Sequence, residues 1–183
     1  MGIGPPPNAL AAAAAASAID LDADLIARAL GGMSAVSGRM AVTAGRHGTR
    51  IIDDSYNANP GSLAAALGWL AQQDGTRWAA LGDMGELGDI AEDAHRNAGL
   101  AARDAGIERL WVTGDLSRLT AEAFGPGAQW FSTHGELIAA LETALSVRRS
   151  ETTLLIKGSR SARMDRVADA LAAEQGAKAG ASC

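Results

Sequence analysis

Cysteine is almost missing from this 183-residue chain: the only one, Cys183, is its last residue. A single thiol excludes a disulfide framework and a cysteine-based metal site. It suits a reducing compartment, so the expected location is cytoplasmic. Lysine is nearly as scarce, with only Lys157 and Lys178. Aromatics make up 4% of the residues while alanine is abundant, so helices built from this chain should be small-residue and closely packed. The net charge of -5 argues against a nucleic-acid partner, which calls for a basic surface. No run of like charge suggests a membrane-surface patch. No apolar run reaches the length of a membrane-spanning helix, so no membrane insertion is expected. The stretch Ala9 to Ala18 lacks the basic leader of a signal peptide. Three histidines, His47, His95 and His134, stand without the helical spacing that would make a zinc site.

What remains is ordinary globular composition, 48% hydrophobic and 20% charged, in a chain long enough for one domain plus an appended piece. Met1 to Pro7 is rich in glycine and proline and should be irregular. Asn8 to Ala18 reads as a helix capped by Asn8, and Asp24 to Leu30 as a second one stopped by Gly31-Gly32. Two such short helices bury too little to form a domain of their own. From Arg39 the pattern changes. Met40 to Thr43 and Thr49 to Asp53 read as a hairpin across Gly45-Arg46-His47-Gly48. Short apolar runs at Trp78–Leu81, Leu110–Thr113, Trp130–Phe131 and Thr153–Ile156 then alternate with helical stretches near 62–72, 92–105, 116–123, 136–145 and 163–173. Alternation of this kind predicts an α/β domain with a mostly parallel sheet and helices on both faces. The small-residue tail from Gly176 is expected to be disordered.

In such a sheet, ligands bind beyond the carboxyl ends of the strands. Four turns lie there. Asp53-Asp54-Ser55-Tyr56-Asn57-Ala58-Asn59-Pro60 offers carboxylates and amides for ribose hydroxyls and an aromatic ring for a purine. It reads equally well as a capped turn, with Asn59 as N-cap, Pro60 in the first helical turn and Asp53 closing an Asx turn. Leu81-Gly82-Asp83-Met84-Gly85-Glu86-Leu87-Gly88 would turn Asp83 and Glu86 toward the cleft, although its chemistry alone suits an ordinary loop. Thr113-Gly114-Asp115 is generic. Ile156-Lys157-Gly158-Ser159-Arg160-Ser161-Ala162-Arg163 places cations and hydroxyls at a helix start, which favours an anion site. His95, early in the helix after the Asp83 loop, could reach the same edge, although a bland packed histidine is the simpler reading. His47 and His134 read as solvated turn residues. Arg39 sits at the junction with the appended helices and could meet a phosphate.

These segments, in this order and spacing, resemble the Mur ligase family of peptidoglycan synthesis. The run Ser55-Tyr56-Asn57-Ala58-Asn59 is similar to its D-alanyl-D-alanine-adding branch. The resemblance implies a Rossmann-like C-terminal domain over residues 39–175, preceded in 1–38 by a helical remnant of the central ATP-binding domain, with 176–183 as a tail. It also implies ATP-dependent amide formation, part of cell-wall biogenesis. ATP phosphorylates the carboxylate of UDP-N-acetylmuramoyl-tripeptide, and the amine of D-alanyl-D-alanine displaces the phosphate. By the same resemblance Asn8, Arg39, Asp54, Tyr56 and Asn57 fall on the ATP side. Lys157, Ser159 and Arg160 fall on the amino-acid side, with Asp83 and His95 lining the cleft.

One departure matters. The phosphate loop Gly-x-x-x-x-Gly-Lys-Ser/Thr of the family's central domain is missing from this sequence. Mg2+ would be held mainly by that domain, so no catalytic residue and no metal ligand is assigned here. The expectation is a fragment carrying the nucleotide lid and the dipeptide site, inactive alone. A nucleotide- or anion-binding module acting in trans, or part of another Mur-type ligase, are the alternatives.

Overall fold

The computed structural model describes residues 7–32, 38–148 and 151–173. The glycine- and proline-rich start (1–6), the tail beyond 173, Lys178 and Cys183 lie outside the described residues. The chain divides into two compact units, Met1–Ala35 and Val36–Cys183, ahead of the boundary expected after residue 38. The first unit holds α1 (Pro7–Ser17) and α2 (Ala23–Gly31). Asp22 caps α2 by accepting from the amides of Asp24 and Leu25, both at 3.0 Å. α1 begins at Pro7, so Asn8 lies in the first helical turn and not at the cap.

The second unit is the α/β domain. Its strands are β1 (Ala41–Ala44), β2 (Arg50–Asp54), β3 (Thr76–Gly82), β4 (Arg109–Thr113), β5 (Ala128–Phe131) and β6 (Thr152–Lys157). Its helices are α3 (Pro60–Leu70), α4 (Ala91–Asp104), α5 (Ser117–Phe124), α6 (His134–Ser146) and α7 (Asp165–Leu171). The sheet order is β1-β2-β6-β3-β4-β5. β1 and β2 form the antiparallel hairpin, its turn a short 3-10 segment with His47 at φ 57°. Every other pairing is parallel.

This order dictates the layers. The chain steps from β2 over β6 to β3, then to β4 and β5, always in one direction, so right-handed crossovers put α3, α4 and α5 on one face. The return from β5 to β6 reverses direction and puts α6 on the other face, with α7. Two buried clusters match. Leu63, Leu67 and Leu70 of α3 and Ala98 and Ala102 of α4 pack with Ile52, Ala79 and Leu155. Leu137, Leu141 and Leu145 of α6 and Val167 and Leu171 of α7 pack with Ile51, Trp78, Leu154 and Ile156. β6 is buried along its whole length, as a central parallel strand must be. No helix among the described residues is long and apolar enough to cross a membrane.

Local signals hold where the expected elements form. Asn59 caps α3 in a capping box: its side chain accepts from the Ser62 amide at 2.9 Å, and the Ser62 hydroxyl accepts from the Asn59 amide at 3.1 Å. α7 starts later than expected. A 3-10 turn at Arg160–Ala162 and a left-handed residue at Arg163 (φ 51°) come first, and both arginines stay outside the α-helix.

Candidate functional site

Reversal of direction at β6 creates a crevice. The loop after β3 runs toward the α4 face and the loop after β6 toward the α7 face, so their carboxyl ends diverge. A groove of about 610 Å³ opens between them. Ser159, Arg160, Ser161 and Arg163 form one wall, Gly85 and Glu86 line another part, and Tyr56 and Asn57 reach in from the turn after β2.

The β2 turn is held by its own carboxylates. Asp53 accepts from the Ser55 amide at 3.1 Å, the expected Asx turn, and its other oxygen accepts from the Gly38 amide at 3.0 Å. Asp54 accepts from the Met40 amide at 3.1 Å, and the Tyr56 amide donates to the Gly38 carbonyl at 2.9 Å. Residues 38–40 are thereby stapled to the turn. The Arg39 guanidinium lies 4.1 Å from the centroid of the Tyr56 ring, which is 46% exposed. A flat cation stacked on an accessible ring suits a planar anionic ligand.

Lys157 does not stand on the amino-acid wall as expected. Its side chain is 2% exposed, and its ammonium donates to Asp54 at 2.5 Å and to the Asn57 carbonyl at 2.9 Å. Asp54 and Lys157 face each other at the end of the parallel β2–β6 ladder, so the pair forms across neighbouring strands. A buried ammonium needs such partners. Asp54 therefore also turns away from the groove, with both oxygens bonded.

Asp83 and His95 are displaced from the cleft in the same sense. Asp83 accepts from the Ser117 amide at 2.8 Å and from its hydroxyl at 2.6 Å, so it caps α5, which brings no capping side chain of its own. It borders a second polar hollow of about 290 Å³, together with Asp115 and His134. Gly114 is required beside it: φ is 117°, and a Cβ there would lie 2.4 Å from the Asp83 carboxyl carbon. His95 is 1% exposed. Its Nε2 accepts from the Met84 amide at 3.0 Å, and its Nδ1 donates to the Ala91 carbonyl at 2.7 Å. That pattern assigns the neutral imidazole with the proton on Nδ1. His95 thus anchors the loop that carries Gly85 and Glu86 and presents nothing to the groove. His134 is half-buried: its Nε2 donates to the Ala162 carbonyl at 2.7 Å and supports the opposite loop.

On the cationic wall the two arginines differ. Arg163 forks onto Asp165 with bonds of 3.0 to 3.2 Å, and these hold the Asp165 carboxyl below the usual carboxylate range. Arg160 is 68% exposed, and its contact with Asp165 is 3.9 Å. It is the freer cation. Ser159 is buried, its amide donating to the Asp83 carbonyl at 3.0 Å and its hydroxyl lying 3.0 Å from that of Ser161. The cations stand ahead of α7, whose first turn carries Asp165. Glu86 lines the groove, on the side to which its loop was expected to turn it, and Ser161 joins it although no separate role was assigned to that hydroxyl. The signal for Glu86 was its place between two glycines in a tight loop, where its φ is 60°. The Asn8 side chain lies outside what the structure describes. No group of three His, Cys, Asp or Glu side chains among the described residues could hold a metal ion.

Comparison with known proteins identifies the family. The family model "Mur ligase, glutamate ligase domain" matches residues 38–160. The chain is 40% identical to the UDP-N-acetylmuramoyl-tripeptide--D-alanyl-D-alanine ligase of Escherichia coli over 90% of its own length and 36% of the relative's. It is 38% identical to the ligase of the same name from Mycobacterium tuberculosis, over 91% of this chain and 37% of that one. A crystal structure of MurF from Acinetobacter baumannii superposes with a TM-score of 0.80 at 29% identity, covering 88% of this chain and 36% of that one. The chain therefore spans little more than a third of the length of the relatives it matches. With the family model matching most of its α/β domain, over residues 38–160, the chain belongs to the Mur ligase family.

Proposed function

We propose that this chain is the part of an ATP-dependent amide ligase that closes over the nucleotide and presents D-alanyl-D-alanine for addition to UDP-N-acetylmuramoyl-tripeptide, in the cytoplasm. The observation that carries the reading is the groove at the β6 switch point, with an arginine-stacked tyrosine at one end and an exposed arginine beside two serine hydroxyls at the other. A zwitterionic dipeptide fits such a groove. Arg160 takes its carboxylate, Ser159 and Ser161 add hydroxyls, and Glu86 faces its ammonium. Arg39, Tyr56 and Asn57 form the nucleotide side. Asp54, expected to bind ATP, serves that side by holding Met40 and hence Arg39.

In the proposed reaction the γ-phosphoryl group of ATP passes to the acceptor carboxylate, ADP leaves, and the dipeptide amine attacks the acyl phosphate and expels phosphate. The residues of this chain bind and orient; they contribute no phosphate cradle, and Mg2+ enters only with the nucleotide. Residues 1–38, with Asn8, are the end of a preceding ATP-binding unit in this reading. By itself the chain is expected to bind without ligating.

Calorimetric titration with D-alanyl-D-alanine tests this. Removing a charge-assisted hydrogen bond costs about 1.5–3 kcal/mol. Arg160→Ala should therefore weaken the dipeptide roughly 10- to 100-fold. Equal affinity in the variant would remove Arg160 from the site.

Glu86 supplies a second check. A non-glycine residue at positive φ carries strain of about 1 kcal/mol or more. Glu86→Gly should raise the melting temperature by roughly 2–4 °C while weakening the dipeptide. A variant that is both less stable and unchanged in binding would contradict this.

A further inference from the structure

We propose that Lys157 is a positioning residue. It touches neither ligand, and its buried ammonium sets the register between the turn that carries the nucleotide side of the groove and the loop that carries the amino-acid side. This rests on the groove being the ligand site argued above.

Three observations converge on it. First, Lys157 ends β6, and the next residues are the amino-acid wall, beginning with Gly158 and Ser159. Second, its two acceptors belong to the other half-site. Asp54 ends β2, and Asn57 lies in the turn beyond. The bond to the Asn57 carbonyl folds that turn back over the end of β6. Tyr56 and Asn57 then stand across the groove from Ser159 and Arg160. Third, the second oxygen of Asp54 holds the Met40 amide, next to Arg39. A continuous chain of bonds therefore runs from Arg39 and Met40 through Asp54 and Lys157 to the backbone of Ser159, whose amide is fixed on Asp83. No other lysine is available for this, since Lys178 is the only one besides it. A lysine that merely filled space would need no partner on the turn. A ligand-binding lysine would not be 2% exposed with its bonds directed away from the groove.

Amide hydrogen exchange of the ligand-free chain tests the proposal. In Lys157→Met, the amides of Met40, Tyr56 and Ser159 should exchange about tenfold faster or more, together, while those of Ala98 and Ala102 in α4 keep their rates. Lys157→Arg, which retains the charge, should recover most of the protection. If Lys157→Met does not fold because Asp54 is left without its cation, the pair Asp54→Asn with Lys157→Met strands no charge and is read at Tyr56 and Ser159. A uniform rise across the whole chain would mean a purely stabilising residue and would overturn the proposal. So would unchanged exchange in a variant that nevertheless loses dipeptide binding, because the lysine would then contact the ligand. A wild-type chain that binds neither D-alanyl-D-alanine nor ATP would defeat the functional reading, while the exchange pattern would still decide whether Lys157 couples the two loops.

Discussion

Alanine at Gly99 is expected to unfold the protein more easily by about 2 kcal/mol or more, although alanine is the better helix former. Gly99 lies inside α4, where it faces α5. A Cβ there would stand 2.2 Å from the Thr120 carbonyl oxygen, 2.9 Å from the Phe124 amide nitrogen and 3.0 Å from the Ala123 methyl. Two of these are backbone atoms of a packed helix and cannot rotate aside. Overpacking costs about 3 kcal/mol at such a site. The gain in helix propensity returns only about 1 kcal/mol. The Thr120 hydroxyl also donates to the His95 carbonyl, so moving α5 breaks a buried bond as well. Gly68 in α3 is the matched control: it is exposed, and nothing lies within 4 Å of a Cβ there. Gly68→Ala should stabilise by roughly 0.5–1 kcal/mol. Urea denaturation of both variants decides the matter. A stable Gly99→Ala protein would mean that α4 and α5 are not so closely apposed.

Trp78→Ala should cost about 3–5 kcal/mol. Trp78 lies in β3 with 1% exposure, and its ring centroid is 4.8 Å from that of Trp111 in β4, inclined at 52°. The Arg148 guanidinium lies 5.0 Å from it on the ring face. Truncation would open a cavity between the sheet and α6 and strip the stacking partner from Arg148. Among the described residues, however, the indole N–H has no hydrogen-bond partner. Trp78→Phe removes that buried donor and keeps a ring, so it should cost far less than the alanine change, about 1 kcal/mol. Similar losses in both variants, measured as shifts of the urea midpoint, would show that the indole itself, and not the buried ring volume, governs this site.

Why the strands and helices could be read so fully, and the site only in part, follows from the range of the forces involved. The βα alternation is local. Every strand but β2 has a glycine directly at one end, and the Asn59-Pro60-Gly61-Ser62 cap acts within four residues. The Asp54–Lys157 pair joins positions 103 apart in sequence. It exists because β6 lies beside β2, a fact of strand order that no local pattern carries. The α5 cap is of the same kind, since Asp83 reaches Ser117 across 34 positions. For His95 the simpler reading, a packed histidine, holds, and it has a local signal. Ala91, Ala94, His95, Ala98 and Ala102 repeat at helical spacing, and all but Ala91 are buried, so the face of α4 that carries His95 points into the core. The delayed start of α7 turned on a left-handed Arg163, whose fork onto Asp165 lies only two positions away but has no propensity signature.

The position of β6 has a consequence for how the domain comes into being. It is the last strand of the sheet in chain order, yet it lies between β2 and β3, which have no direct pairing with each other. Until residues 152–157 are in place, the hairpin and the β3–β5 ribbon each carry an unpaired inner edge, and neither cluster around Leu155 or Leu154 is complete. Ribosomal synthesis therefore releases most of the domain before its keystone. The nascent chain must hold two open edges through the synthesis of α6, a window in which intermolecular strand pairing competes with closure. The same insertion that completes the sheet brings Lys157 to Asp54, so the sheet and the groove become complete in one event.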